Sequence, residues 1–522
     1  MEQTDTETLY LLEERQAFSK SLLWEIQRHY FAARGAEAWR SGEVPHYVTS
    51  NPVIADAYAE IVFAFRRDRQ ALFPGDEPLY ICELGSGSGR FTFHFLKRLL
   101  RLCTRHGVPP LSFRYVLTDF TQSNLDAWRM NPCFSEFFDS GLLDMTLFDV
   151  NHSAELVLQI SGERLTAGTL SSPLVAIANY LFDSVPQALY YFNDGAAHEC
   201  LLSLATEEDP AELDAAELLE RLHLHYDYRP CAEPSEEAEL LALYAKTLDD
   251  AHVLVPAAGL DCLRRLRELA PQGLLLLSAD KGEHRIEKVG SPFPPGLVHH
   301  GSFSLSVNYH AFRIFCEQAG GLALLQEKAH DSIAVVGLLM VERAAEHEQT
   351  RRVWEERIQD FSPGEYLAVS QHARAHIPDM SFSAMLAYVR LGLGDSHVFG
   401  HYLPRLRELA PEFDSEERSR VTALIDEVWD MYFPLGEDRD LAYGMGCLLY
   451  EMDDYPRALH YFERSLVIYG PHTGTYYNMA VCHHLLNQAG QALPLLQRLL
   501  ETEADNAPAL ELLNLCREME HG

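Results

Sequence analysis

Four short runs of almost unbroken apolar residues punctuate the first two-thirds of the chain: YICEL (80–84), RYVLTDF (114–120), LVAIAN (174–179) and GLLLLSAD (273–280). Continuous, β-rich runs of this length, bounded by turn signals, read as strands buried on both faces. Segments with helical periodicity separate them. Strands alternating with helices predict an α/β layer built on a mostly parallel sheet. Two later runs, LALLQEKA (322–329) and SIAVVGLLMVE (332–342), are so close that they predict a hairpin at the sheet edge.

The pattern divides the chain. Residues 1–75 read as helical, broken by SGEVPHYVTSNP (41–52). Residues 76–342 carry the α/β pattern. Within them, 184–270 is too long for a simple crossover and is expected to form an insertion or cap. It holds ALYYFNDGAAHECLLSL (188–204), where Asn193-Asp194-Gly195 signals a hairpin, and two acidic helical stretches at 211–223 and 235–250. After a charged helix or linker at 342–360, residues 361–522 are helical throughout. There YGMGCLLYEMDDYPRALHYFERSL (443–466) aligns with YNMAVCHHLLNQAGQALPLLQRLL (477–500) at a spacing of 34 residues. Gly446 matches Ala480, and Ala458 matches Ala492. Small residues recurring at that period resemble the tetratricopeptide repeat. A partial third unit starts at Ala507. The resemblance implies a concave face for a protein or peptide partner. A structural or dimerising role for the repeats is the alternative, with a homodimer as its outcome.

Chemistry enters at ELGSGSGR (83–90). Three glycines in five residues make a poor helix and a poor strand. Between a strand and a helix, however, they let a backbone approach a ligand, and the helix N-terminal amides face it. The Walker pattern GxxxxGK[ST] fails for want of a lysine. The dinucleotide fingerprint GxGxxG fails because its third glycine falls on Arg90. The observed pattern, E-x-G-x-G-x-G, resembles motif I of class I S-adenosylmethionine-dependent methyltransferases. That resemblance implies a Rossmann-like fold and a cofactor loop of Glu83, Gly85, Ser86, Gly87, Gly89 and Arg90, with Glu83 orienting the cofactor's amino end. It further implies that Asp119 accepts the ribose hydroxyls, that Phe120 covers the adenine, and that Asp149 contacts the adenine amino group. A single Asp at a strand end is more often a turn or cap. Asp119 and Asp149 in order after this loop, with Glu83 just before it, point to one site.

A narrower resemblance appears at ANYLFDSVPQ (178–187). It is similar to a motif of the MidA-like methyltransferases, which include an arginine methyltransferase acting in respiratory complex assembly. Further matches fall at Gly42, Tyr47, Thr49, Ser50 and Pro52, at Asp280 and Gly282, and at Val307, Asn308 and Tyr309. The likeness spans about residues 25–340, outside the repeats. It implies methyl transfer to a nitrogen, a protein arginine being one candidate acceptor, with Asn179, Tyr180 and Asp183 as catalytic residues and Asn179 also at the cofactor. This chain departs from the family at Tyr180, where a glutamate stands. A carboxylate would steer a guanidinium; neutral tyrosine does not. Either Asp183 substitutes, or the acceptor is another nitrogen, or turnover is lost.

Charge narrows the partners. The formal net charge is −35, which opposes nucleic acid and anionic membranes and suits a basic peptide. Ten scattered cysteines form no CxxC pair, and the His299-His300 and His483-His484 neighbours lack ligand spacing, so no metal site is expected. No apolar run of about 18 residues occurs, and the first residues lack the features of a leader; a cytoplasmic protein is expected. No GxSxG elbow is present. Three readings follow: a nitrogen methyltransferase whose repeats recruit a protein; a scaffold that binds the cofactor without turnover; and a small-molecule methyltransferase dimerised by its repeats.

Overall fold

The computed structural model describes residues 9–35, 47–73, 75–231, 237–328 and 333–521. Gly42 of the family likeness lies outside the described residues. The chain divides into two compact units, Met1–Tyr366 and Leu367–Gly522.

The first unit is organised by a seven-stranded sheet. In chain order its strands are β2 (Leu79–Glu83), β3 (Phe113–Asp119), β4 (Leu143–Leu147), β5 (Leu174–Asn179), β10 (Gly273–Asp280), β11 (Leu322–Leu325) and β12 (Ala334–Val341). Across the sheet the order is β11-β12-β10-β5-β2-β3-β4. The five strands from β10 to β4 are parallel, and β12 runs antiparallel between β10 and β11. All four apolar runs are therefore strands, and the late pair is the edge hairpin. The runs are unbroken because both faces are covered: every residue of β2, β10 and β12 is buried. Helices α2 (Pro52–Leu72) and α3 (Arg90–His106) pack together on the sheet. Asn51 caps α2, its Oδ1 accepting from the Val53 and Ile54 amides at 3.0 and 3.2 Å, with Pro52 at the first helical position, where its missing N–H is harmless.

From β2 the chain steps outward to β3 and β4. It then returns to the other side of β2 to lay down β5. The strand order reverses between β2 and β5, which opens a crevice at their carboxyl ends, the place where open α/β sheets bind ligands.

A second, antiparallel sheet comes from the inserted segment. Its strands β6 (Ala188–Asn193), β7 (Ala196–Thr206), β8 (His223–Pro230) and β9 (Ala251–Val255) are joined by β1 (Tyr10–Ala17), which pairs with β7. Two sequence expectations are corrected here. Residues 10–17 are a strand, not a helix: YLLEERQA has helix-forming residues, but β7 offers an edge, and tertiary pairing overrides propensity. The helix α1 (Leu22–Arg34) follows β1 and buries Leu23, Trp24 and Ile26 against Leu202 and Leu204 of this layer and against Phe303. The insertion also ends earlier than 270. Helix α5 (Ala257–Leu269) packs on β5 and β10 as the crossover of the main sheet. Residues 342–360 belong to the first unit: Asp68 of α2 caps helix α6 (Glu348–Trp354), accepting from the Thr350 amide and hydroxyl at 2.8 Å each.

The second unit is helical. Its helices α7 (Leu441–Glu451) and α8 (Tyr455–Tyr469) pack as a pair, as do α9 (Thr473–Leu485) and α10 (Ala489–Thr502). A Cβ on Gly446 would stand 2.6 Å from the Phe462 ring, so the α7–α8 approach needs glycine there. Ala458, Ala480 and Ala492 are fully buried. Among the described residues no helix is long and apolar enough to cross a membrane.

Candidate functional site

The glycine loop leaves the carboxyl end of β2 and enters α3. Gly85, Gly87 and Gly89 all have left-handed backbones, with φ of +65°, +52° and +79°. L-residues with a Cβ pay about 1–2 kcal/mol there, which answers why every second residue is glycine. Gly89 is further confined: a Cβ would meet the Phe134 ring at 2.8 Å. The serines between the glycines are also used. The Ser86 amide donates to the Thr118 carbonyl at 2.8 Å, and the Ser86 hydroxyl to the Glu83 carbonyl at 3.0 Å. Trp128, fully buried, donates its indole N–H to the Gly87 carbonyl at 2.8 Å.

Glu83 closes β2 and is buried beneath the loop. Its Oε2 accepts from the Tyr115 hydroxyl at 2.7 Å and from the Thr92 hydroxyl. Burial raises its pKa to about 7, against the lowering effect of those two hydroxyls. Asp119 closes β3. Its Oδ1 accepts from the amide and hydroxyl of Thr121 at 2.9 Å each, and its Oδ2 from Asn124 at 2.8 Å. The Gly87 amide also bonds to this carboxylate. A carboxylate has about four acceptor sites, so in this conformation protein donors fill Asp119. It ties the glycine loop to the start of the next helix rather than presenting free lone pairs. Burial outweighs these donors and raises its pKa.

Asp149 lies just past β4 and accepts from the Asn151 amide at 2.9 Å. Its Oδ2 takes an N–H of Arg28 at 2.7 Å, and the same guanidinium carbon stands 4.4 Å from the centre of the Phe120 ring. Arg28 comes from α1, where no sequence motif marked it.

At the far side, beyond β5, the backbone of Tyr180 is left-handed at φ +47°, a strained state for an aromatic residue. Asn179 is spent on the protein: its Oδ1 accepts from the Ala279 amide at 3.1 Å and the Tyr58 hydroxyl at 3.2 Å, while its Nδ2 donates to the Thr49 carbonyl at 3.3 Å. In this conformation its side-chain oxygen is engaged by those two internal donors. Asp183 and Asp280 form a buried pair. The Asp183 amide donates to Asp280 Oδ2 at 3.2 Å, the Ser184 hydroxyl donates to Asp183 Oδ1 at 2.7 Å, and the Lys281 amide donates to Asp280 Oδ1 at 2.8 Å. The two carboxyls also bond to each other. Burial raises both; Asp183 reaches about 6, and Asp280 is driven up further by its neighbour's charge. Two carboxyls in contact share a proton. Tyr309, from the late family motif, is fully buried and hydrogen-bonds Ser278 at 2.7 Å beneath Asp280.

These groups converge on one cavity of about 850 Å³. Every site residue expected from the sequence lines it except Gly89 and Arg90. Those two face away: Gly89 caps α3 against Phe134, and Arg90 is buried at its first position. The sequence reading missed Arg28, Thr92 and Tyr115. Only the placement of Thr92 one helical turn into α3, and of Tyr115 one strand over from Glu83, brings them to that carboxyl.

No protein-family model matches the chain, and no curated protein matches it in sequence. Solved structures do resemble it. A Burkholderia thailandensis protein solved with S-adenosyl-homocysteine bound has 16% identity, covers 60% of this chain and 75% of its own, and gives a TM-score of 0.38. An uncharacterised protein of the same organism has 16% identity, 60% and 74% coverage and a TM-score of 0.36. The CurJ carbon methyltransferase has 11% identity, 59% and 58% coverage and a TM-score of 0.29.

Proposed function

We propose that the first unit is an S-adenosylmethionine-dependent methyltransferase acting on a nitrogen. One observation carries this reading. A glycine loop at the switch point of the sheet is lined by carboxyl groups: Glu83 and Asp119 sit under it, and Asp149 and Asp183 flank it. Such a cradle repels the phosphates of a nucleotide or dinucleotide. It suits a nucleoside carrying positive charge, and S-adenosylmethionine brings an ammonium and a sulfonium.

Bound there, the cofactor supplies an activated methyl group, and the chain's residues align, shield and deprotonate. Gly85 and Gly87 allow close backbone approach. Glu83, ionised, receives the amino end. Asp119 holds the Gly87 amide and so fixes the loop. Tyr180 and Asp183 form the acceptor wall. A nitrogen nucleophile must lose a proton as its N–C bond forms, and the Asp183–Asp280 pair is placed to take it, because burial holds Asp183 at about 6 and burial with its neighbour's charge holds Asp280 well above the ordinary carboxylate range, making them stronger bases than a free carboxylate. This supports a nitrogen acceptor despite the missing family glutamate. The helical unit, with its 34-residue spacing, would recruit the protein that carries the acceptor.

Calorimetric titration with S-adenosyl-homocysteine tests the reading. Micromolar binding, lost in Glu83→Ala, is expected. Absence of binding to the natural protein removes it. Binding of S-adenosylmethionine without methyl release to any lysate protein would leave the scaffold reading, which the tyrosine at 180 favours.

A further inference from the structure

Arg28 is placed differently from every other cation at the cavity. Its Cζ lies 4.4 Å from the centre of the Phe120 ring, and its Nη2 2.7 Å from Asp149 Oδ2. These are the two side chains assigned above to the base of the nucleoside. A guanidinium at that distance already occupies the stacking layer over that face of the phenyl ring, and no flat base fits between them. The pairing also uses the carboxylate oxygen that Asp149 does not spend on its own loop.

The surroundings separate a fixed backbone from a movable side chain. In the turn that leads into Arg28, α1 is pinned: Trp24 donates its indole N–H to the Phe18 carbonyl at 2.8 Å, and Gln27 its amide to the Phe303 carbonyl at 2.5 Å. Both residues are buried. The Arg28 side chain is 40% exposed. Solvent screens an ion pair of this kind, so its bond to Asp149 is weak and readily exchanged.

We propose that Arg28 is a displaceable plug of the nucleoside end of the cavity, held over Phe120 by Asp149 and moved aside when a base enters. The inference rests on the cofactor reading above and assigns a residue that controls entry to that same site. Its consequence is kinetic. The encounter is slowed by the need to break the Arg28–Asp149 pair, and salt, which weakens exposed ion pairs, speeds it.

Stopped-flow tryptophan fluorescence with S-adenosyl-homocysteine tests this, on the full chain and on Arg28→Ala and Arg28→Gln. Melting curves check that the variants fold. Both variants are expected to associate about three- to tenfold faster than the natural protein, with little change in dissociation. Raising salt should speed association of the natural protein only. Unchanged or slower association in both variants, or faster dissociation, would overturn the proposal and make Arg28 an ordinary wall or a ligand-holding residue. Binding by the variants alone would support it in its strongest form. If neither the natural protein nor the variants bind, the cofactor reading itself fails and the plug falls with it.

Discussion

Asp183 and Asp280 stand in hydrogen-bond contact at the carboxyl ends of neighbouring strands, with the Asp183 amide donating to Asp280 Oδ2 at 3.2 Å. Both are at most 4% exposed. Ionising both is unfavourable, so the folded protein holds a proton there that the unfolded chain gives up. The sign follows. Asp183 is raised from 3.8 to about 6, so its contribution to stability is complete below about pH 4 and is lost as pH rises through about 6.

Asp183→Asn should remove that loss. An asparagine amide can donate to Asp280 as a protonated Asp183 would, and its oxygen can keep the Ser184 hydroxyl. We expect the variant to match the natural protein at pH 4 and to exceed its stability at pH 8 by on the order of 3 kcal/mol. Thermal unfolding at the two pH values reads this directly. Parallel pH profiles would mean that the pair does not share a proton.

Glu83 makes a second pH prediction, of opposite use. Its raised pKa of about 7 means the protein is most stable with Glu83 protonated, and this contribution fades as pH rises through 7. An ammonium ligand needs the ionised form. Affinity for S-adenosyl-homocysteine should therefore climb about tenfold from pH 6 to pH 8. Glu83→Gln should bind weakly with a flat profile. Titration calorimetry at three pH values checks both, and a flat profile in the natural protein would place the amino end elsewhere.

The loop glycines should separate in their costs. Gly89→Ala forces a Cβ to within 2.8 Å of the packed Phe134 ring at φ +79°, and should lose on the order of 3 kcal/mol of stability. Gly85→Ala meets only the tip of Leu181, at 3.0 Å, and should lose on the order of 1–2 kcal/mol. Gly85 lines the cavity and Gly89 does not. Cofactor binding should therefore suffer most in Gly85→Ala, although it is the more stable variant. Denaturant unfolding beside ligand titration separates the two effects.

What the sequence disclosed follows from how each signal is written. Runs such as LVAIAN and GLLLLSAD announce themselves because strands covered on both faces carry no polar alternation. The glycine loop is legible because its backbone forbids other residues. Strand β1 was hidden because Glu13, Glu14 and Arg15 suit a helix, and only the β7 edge makes them a strand. Strand β8 was missed between two helical stretches for the same reason. The site was legible where one segment supplies the chemistry and illegible where two segments meet. The Asp119 carboxylate was visible, but its saturation by Thr121 and Asn124 was not. Arg28 sits 121 residues before Asp149, and no local pattern ties them.

Gly446 of the helical unit packs so close to Phe462 that an added Cβ would lie 2.6–2.7 Å from two ring carbons. Neither helix can yield without disturbing the neighbours that bury Ala458 and Leu448, both fully enclosed. Gly446→Val should therefore destabilise this unit by about 1–3 kcal/mol. The cavity residues all belong to Met1–Tyr366, so the affinity for S-adenosyl-homocysteine should stay within about twofold of the natural protein's, since no cavity contact changes. Circular dichroism melting beside calorimetry distinguishes the outcomes. A lower melting transition with intact binding shows that the cofactor site is held by the first unit alone. If binding falls with the helices, the site depends on the second unit, and recruitment of a partner is then too narrow a role for it.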